Sequence, residues 1–271
     1  MDFKIIEKDG VKVVKFKRIE EIPFVRHGFS TRIGGVSPEP FNQLNLGRLT
    51  PDSPHNIIEN TKRFSKAVGV NFDDLVASDQ VHKDQVKVVT AEDKGKGFTR
   101  DMDFDSIDAL ITNERGVPLI TYFADCVPLL MVDPHQKAVG LAHAGWSGTV
   151  LKIGQKTVMK MLEEYQSRLE DIIVVIGPSI GQCCYEVSED VVEKFNMNFT
   201  DTSTFVIAKD GGKYMLDLWE ANRVALKEIG IQDRNIVKSR ICTGCNTDLY
   251  FSHRFEKGNT GRMASIIEII L

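Results

Sequence analysis

Four apolar runs, Asp108-Ala-Leu-Ile-Thr112, Leu119-Ile-Thr-Tyr-Phe123, Val127-Pro-Leu-Leu-Met-Val132 and Ala138-Val-Gly-Leu-Ala142, follow one another with only short breaks. Runs of this length and density read as buried strands. The breaks are too short for the crossover helices that parallel neighbours need, so the runs predict a mixed or antiparallel core rather than strict βαβ alternation. Upstream, residues 3–6 and 11–16 are β-rich and flank Lys8-Asp9-Gly10, where Asp-Gly favours a tight hairpin turn. Ser53 as a cap, Pro54 in the first turn, apolar spacing through Ile57, Phe64 and Val68, and Gly69 as a stop predict a helix. Residues 86–90 read as a strand, and the charged, glycine-bearing stretch 91–105 as an exposed loop placed to cover a site. Downstream, helices are expected over 149–165, 188–195 and 216–229, and strands over 171–177, 236–241 and 264–271. A hairpin over 204–215 turns at Asp210-Gly211-Gly212. With no repeat and no linker, the expectation is one α+β (mixed α/β) domain spanning 1–271, a β core with helices outside.

The chain has 271 residues, 42% of them hydrophobic, and 34 Lys+Arg against 38 Asp+Glu for a net charge of −4. This is ordinary globular composition, able to bury a sizeable core. Without a clustered basic face, nucleic acid and anionic membrane are not expected as partners. The first residues lack the apolar core of a signal peptide, and no stretch approaches the ~18 apolar residues of a membrane span, so a cytoplasmic location is expected. The five cysteines are odd in number and partly adjacent, which suits reduced thiols better than a disulfide framework.

Common enzyme signatures are missing. There is no phosphate-loop motif, no dinucleotide fingerprint and no H-E-x-x-H helix, and Gly145-Trp146-Ser147-Gly148 is one residue short of a nucleophile elbow. Cys242-Thr-Gly-Cys245 has no companion pair in C-x-x-C form, and Cys183-Cys184 are chain neighbours that point in different directions, so both pairs read as structural thiols. His82, Cys126 and His143 stand apart, because each sits where an apolar strand meets a break. Imidazole and thiolate are ligands that zinc prefers, and three of them leave a fourth position open, as a catalytic zinc requires. The same atoms allow a Cys-His hydrolase, with Cys126 as nucleophile, His143 as base and Asp125 or another carboxylate as orienter. His82 discriminates the two, since only the metal site needs it. For an anion, Arg32 beside Thr31 and the Gly34-Gly35 pair is the first candidate cradle, with Arg48 and Arg63 as rivals.

The run Gly28-Phe29-Ser30-Thr31-Arg32, then Gln80-Val81-His82, Ala124-Asp125-Cys126-Val127-Pro128, Ala142-His143-Ala144-Gly145-Trp146 and Tyr185-Glu186-Val187 resembles the laccase-domain family over nearly the whole chain. Those proteins were first labelled multicopper polyphenol oxidases and are now assigned as zinc-dependent purine nucleoside phosphorylases with adenosine deaminase activity. The resemblance implies α-β-β-α layers, a fold shared with Cys-His toxin deamidases, and a zinc held by His82, Cys126 and His143, with copper as an alternative metal. It also implies purine nucleosides (adenosine, inosine, guanosine, S-methyl-5'-thioadenosine) and inorganic phosphate as partners, and leaves a homodimer open. Arg32, Arg48, Arg63 and Gln80 are then the substrate-binding candidates and Asp125 the catalytic one. Ser147 stands where the family commonly carries a basic residue. With six histidines in all, the chain is poorly supplied for several coppers. The competing readings are a Cys-His hydrolase, a copper-dependent polyphenol oxidase and a non-enzymatic module with a structural metal.

Overall fold

In the computed structural model, which describes residues 2–271, the four apolar runs become β6 (Ala109–Thr112), β7 (Leu119–Phe123), β8 (Val127–Asp133) and β9 (Ala138–Ala144). Met1, the first residue of the expected domain, lies outside the described residues. The four strands divide between two sheets. One sheet runs β14 (Ile236–Lys238), β10 (Ile173–Ile176), β8, β9, β6, β5 (Val86–Val88). The other runs β1 (Phe3–Lys8), β2 (Val11–Phe16), β3 (Val25–Ser30), β15 (Met263–Ile269), β7, β4 (Val76–Ala77). Antiparallel pairs β6·β9, β8·β9 and β8·β10 sit beside parallel pairs β5·β6 and β10·β14, so the pairing is mixed, as the short breaks require.

The sheets stack face to face. Leu110, Leu130, Val132, Val139 and Leu141 of the first meet Val14, Phe29, Phe123, Met263 and Ile267 of the second. Side chains alternate along a strand, so Val127, Leu129 and Met131 of β8 point the other way. They pack beneath α3 (Trp146–Val150), α4 (Ile153–Tyr165), α5 (Glu189–Asn198) and α6 (Leu218–Glu228). On the far side, α2 (Pro54–Val68) lays Phe64, Ala67 and Val68 over Val13, Ile120, Ala264 and Ile266. Helices, sheet, sheet and helix therefore form four layers. All seven residues of β8 and all seven of β9 are buried, which explains why their sequences are continuously apolar instead of alternating. Each fully buried Leu or Val contributes roughly 1.5–3 kcal/mol relative to exposure. A short helix α1 (Lys17–Glu20) and a small sheet of β11 (Glu186–Ser188), β12 (Val206–Lys209) and β13 (Lys213–Leu216) complete the chain.

Two local expectations change, and one strand carried no expectation. The helix expected over 149–165 breaks at Lys152, whose φ of 58° is left-handed, giving α3 and α4. Ser53 makes no side-chain cap; its own N–H donates to the Asp52 carboxylate at 2.7 Å. The strand β3 was not signalled, because Gly28 interrupts it. There a Cβ would lie 2.8 Å from both Val13 and Val68, so β2 and α2 can close over the strand only at glycine. No helix among the described residues is long and apolar enough to cross a membrane.

Candidate metal centre and substrate cavity

Strand parity builds the centre. On β9, residues 139, 141 and 143 face the gap between the sheets, so His143 lies at its end, with its ring 5.7 Å from that of Phe123. The β6·β9 register sets Asp108 opposite His143, and the His143 N–H donates to the Asp108 carbonyl at 2.8 Å. Cys126 precedes β8, which pairs beside His143 through Pro128. His82 arrives on the segment joining β4 to β5 with a left-handed φ of 62°.

That backbone conformation is held by one buried carboxylate. Asp108 accepts the N–H groups of Val81 (3.1 Å), His82 (3.0 Å) and Lys83 (2.8 Å), and its Oδ1 is 2.8 Å from His143 Nδ1. Burial alone would raise the Asp108 carboxyl, but His143 and these N–H donors outweigh it and hold it below its ordinary value. With Nδ1 engaged, the remaining ring nitrogen of His143 is the one free to act as a ligand. The ligand atoms of His82, Cys126 and His143 lie within 4.8 Å of one another. The His82 and His143 rings meet edge to face with centroids 4.8 Å apart. Burial opposes ionisation of Cys126, yet His143 and His82 beside it bring the thiol down, so the thiolate is favoured. A Cβ on Gly145 would fall 3.0 Å from Cys126 Sγ and 3.1 Å from His82 Cδ2, so the ligands close ranks only over glycine. A soft thiolate with two imidazoles on three separate segments fits a borderline metal ion.

The centre opens into a cavity of about 570 Å³, within the range of small-molecule sites. Its walls carry Tyr122, Trp146, Ile180, Tyr185 and Leu218, and three arginines, Arg48, Arg254 and Arg262. Arg254 stacks on Tyr185 (5.1 Å to the ring centroid) and donates to the Glu186 carbonyl at 2.8 Å. Arg262 is held by the carbonyls of Thr260 and Gly261. Arg48 lies over the Phe98 ring at 5.6 Å. The 91–105 stretch, expected to cover a site, thus backs Arg48 from behind, folded around Lys96, which donates to Asp93 and Asp103.

The structure brings His82, Cys126, His143, Arg48, Gln80 and Asp125 to this cavity, and it separates Arg32 and Arg63 from it. Arg32 is a correction: its guanidinium donates to the carbonyls of Asn42 (2.9 Å) and Thr247 (2.7 Å), pairs with Glu256 at 3.1 Å and covers Phe251 at 4.4 Å. Its fork is spent on tying loops together, which leaves no cradle for an anion. Arg63 pairs with Glu59 on the exposed face of α2. Gln80 lines the cavity, but its amide is closed on Tyr122, donating to the carbonyl at 2.8 Å and accepting the N–H at 2.8 Å, so it splices the loop to β7. Asp125 is corrected in role. Its carboxylate accepts from Thr243 (2.6 Å), Ser252 (2.8 Å) and the Arg254 N–H (2.7 Å), which positions Arg254. Of the carboxylates left open as orienter of His143, the one in place is Asp108, 2.8 Å from Nδ1. Arg254 and Arg262 carry no local sign in the sequence, since an arginine near a chain turn is ordinarily a surface residue.

Residues 26–270 match the family described as multi-copper polyphenol oxidoreductase laccase. Purine nucleoside phosphorylase YlmD of Bacillus subtilis (strain 168) is 38% identical over 241 residues, covering 89% of this chain and 87% of that protein. Among solved structures, the hypothetical protein YfiH of Bacillus licheniformis superposes with a TM-score of 0.92 at 36% identity, covering 98% of each chain. YlmD from Geobacillus stearothermophilus gives 0.92 at 35% identity, covering 100% of this chain and 99% of that one. The layered fold, the His-Cys-His centre and these likenesses together make the chain a member of the multi-copper polyphenol oxidoreductase laccase family.

Proposed function

We propose that this chain is a zinc-dependent purine nucleoside phosphorylase with an accompanying adenosine deaminase activity, acting on adenosine, inosine, guanosine and S-methyl-5'-thioadenosine. The observation that carries the reading is the meeting, in one cavity, of the His82–Cys126–His143 set with three arginines and an aromatic wall. Relatives named purine nucleoside phosphorylase support it. His82, Cys126 and His143 would hold the zinc, which supplies Lewis acidity at the floor of the cavity. Arg48, Arg254 and Arg262 supply forked donors matched to phosphate. Tyr122, Trp146 and Tyr185 offer flat faces for the base. In phosphorolysis a phosphate oxygen bonds to the anomeric carbon as the bond to the purine breaks, the purine leaving with a proton given up by the phosphate, so that the products are free base and ribose 1-phosphate, or the 5-methylthio sugar 1-phosphate from S-methyl-5'-thioadenosine. The arginines hold the phosphate against that carbon, and the apolar wall excludes competing water. Asp108 keeps His143 in one tautomer and the His82 loop in one conformation throughout.

A second reading has its own observation: Cys126, His143 and Asp108 also form the thiolate–imidazole–carboxylate order of a Cys-His hydrolase. Metal separates the two. Purified protein is assayed with inosine and adenosine, with and without phosphate, before and after chelation. Phosphate-dependent release of hypoxanthine that vanishes on chelation and returns with zinc is expected. Turnover that survives in metal-free protein and is abolished by thiol alkylation would favour the hydrolase. Oxygen uptake on catechols without nucleoside cleavage would favour the oxidase, although only His82, His143 and His253 of the six histidines line the cavity.

A further inference from the structure

Away from the His-Cys-His centre, the other four cysteines converge. Cys183 and Cys184 lie in a short turn before β11, and Cys242 and Cys245 follow β14 in a Cys-Thr-Gly-Cys turn. The sequence separates them into two unremarkable pairs, and the fold joins them, because Ser179 and Cys242 bridge the two segments in parallel. The Ser179 N–H donates to the Ile241 carbonyl (3.1 Å) and the Thr243 N–H to the Ser179 carbonyl (3.0 Å). All four Sγ atoms then lie within 4.8 Å of one another, with Cys245 at 3.5 Å from Cys183 and 3.4 Å from Cys184. These are non-bonded separations, far beyond the ~2.0 Å of a disulfide.

We propose that Cys183, Cys184, Cys242 and Cys245 form a second metal site, a closed tetrahedral tetrathiolate that binds zinc. Four sulfurs at about 2.3 Å from one zinc stand about 3.8 Å apart, inside the spread seen here. A polynuclear iron–sulfur core would hold its thiolates farther apart. The Gly181 N–H donates to Cys242 Sγ at 3.2 Å, the kind of outer hydrogen bond that steadies a ligating thiolate. Two glycines make the approach feasible. A Cβ on Gly244 would fall 3.1 Å from Cys184 Cβ and 2.5 Å from the Phe255 ring, and one on Gly181 would fall 3.3 Å from Cys183 Sγ. With four protein ligands no position stays open, so the ion is structural. Its place gives it a consequence. Cys184 immediately precedes Tyr185, and Thr243 within the second turn donates to Asp125, which also holds the Arg254 N–H. The ion would therefore fix the wall of the cavity that presents Tyr185 and Arg254.

The test is a count of metal per chain by elemental mass spectrometry. Wild-type protein purified with zinc available should carry two zinc ions. His82→Ala should carry one, and so should Cys245→Ser, in which KM for nucleoside should rise more than kcat falls. Should Cys245→Ser fail to fold, cobalt-loaded wild type replaces it: a second equivalent should add the intense thiolate-to-cobalt charge transfer of a sulfur-only tetrahedral shell. One zinc per wild-type chain that His82→Ala abolishes, a disulfide among the four cysteines by peptide mapping, or a second cobalt without that band would overturn the proposal. Iron in place of zinc would overturn the choice of metal.

Discussion

Asp108 is the residue on which the centre turns, because one side chain fixes both imidazoles, His143 directly and His82 through three backbone N–H groups. Asp108→Asn leaves the shape but swaps an acceptor for an amide that cannot accept all four donors. We expect metal affinity or turnover to fall roughly 10–100-fold, read by metal titration and steady-state kinetics. Among the arginines, Arg262→Ala should raise KM for phosphate at least tenfold. Arg32→Ala should do the reverse, leaving KM for phosphate unchanged while lowering stability by about 1.5–3 kcal/mol through its lost loop contacts. His82, Cys126 and His143 stood out in the sequence because each sits where an apolar strand meets a break, but a hydrogen-bonded core histidine is the commoner use of such a position, and it was the resemblance of the surrounding motifs that singled out the set. Asp108 stood in the same text, yet its part depends on a strand register that no local pattern expresses. Arg32 misled for a related reason: a guanidinium between glycines looks the same whether its fork meets a phosphate or the chain's own carbonyls.

At the scale of single elements, two places carry strain or charge that can be measured. Gln166 ends α4 at φ 56° with its side chain exposed. A left-handed non-glycine residue costs about 1–2 kcal/mol. Gln166→Gly should therefore stabilise by roughly 0.5–1 kcal/mol after the added freedom of the unfolded chain is counted, visible as a higher urea midpoint. In β3, His27 is buried and accepts the Phe16 N–H at 2.8 Å through Nε2. Burial, then the Lys15 and Lys4 charges, push its pKa from 6.5 down to about 3. Between those values the unfolded chain binds a proton that the folded one refuses, so stability falls as pH drops from about 6.5 towards 3, at up to about 1.4 kcal/mol per pH unit. His27→Gln keeps an acceptor for Phe16 and removes the proton site. Its urea midpoint should vary less between pH 6 and 4 than that of the parent. The strands around His27 show why β3 escaped a reading that found β6 to β9: its partners supply the burial, and its own residues do not advertise it.

Across the whole molecule, two of the three residues of the candidate metal centre sit where the chain passes between sheets, and His143 lies on β9 beside them. His82 lies between β4 and β5, Cys126 between β7 and β8, and each of those pairs straddles the two sheets. A bound ion therefore clamps one end of the sandwich, and ligand binding to the folded state alone adds stability by mass action. Chelation should lower Tm by roughly 5–10 °C, with recovery on adding zinc, and the drop should be smaller in His82→Ala. The layered architecture was legible because doubly buried strands announce themselves, while the partition of β7 from its chain neighbours was not, since sheet membership is decided by distant partners. One of those partners is β15, which lies between β3 and β7 in its sheet although it is the last strand in the chain. During synthesis on the ribosome, β3 and β7 must wait unjoined for it. The half-sheet made early exposes the edge of β3 until residues 263–269 leave the exit tunnel, so over that interval the nascent chain is vulnerable to proteases and dependent on holding chaperones.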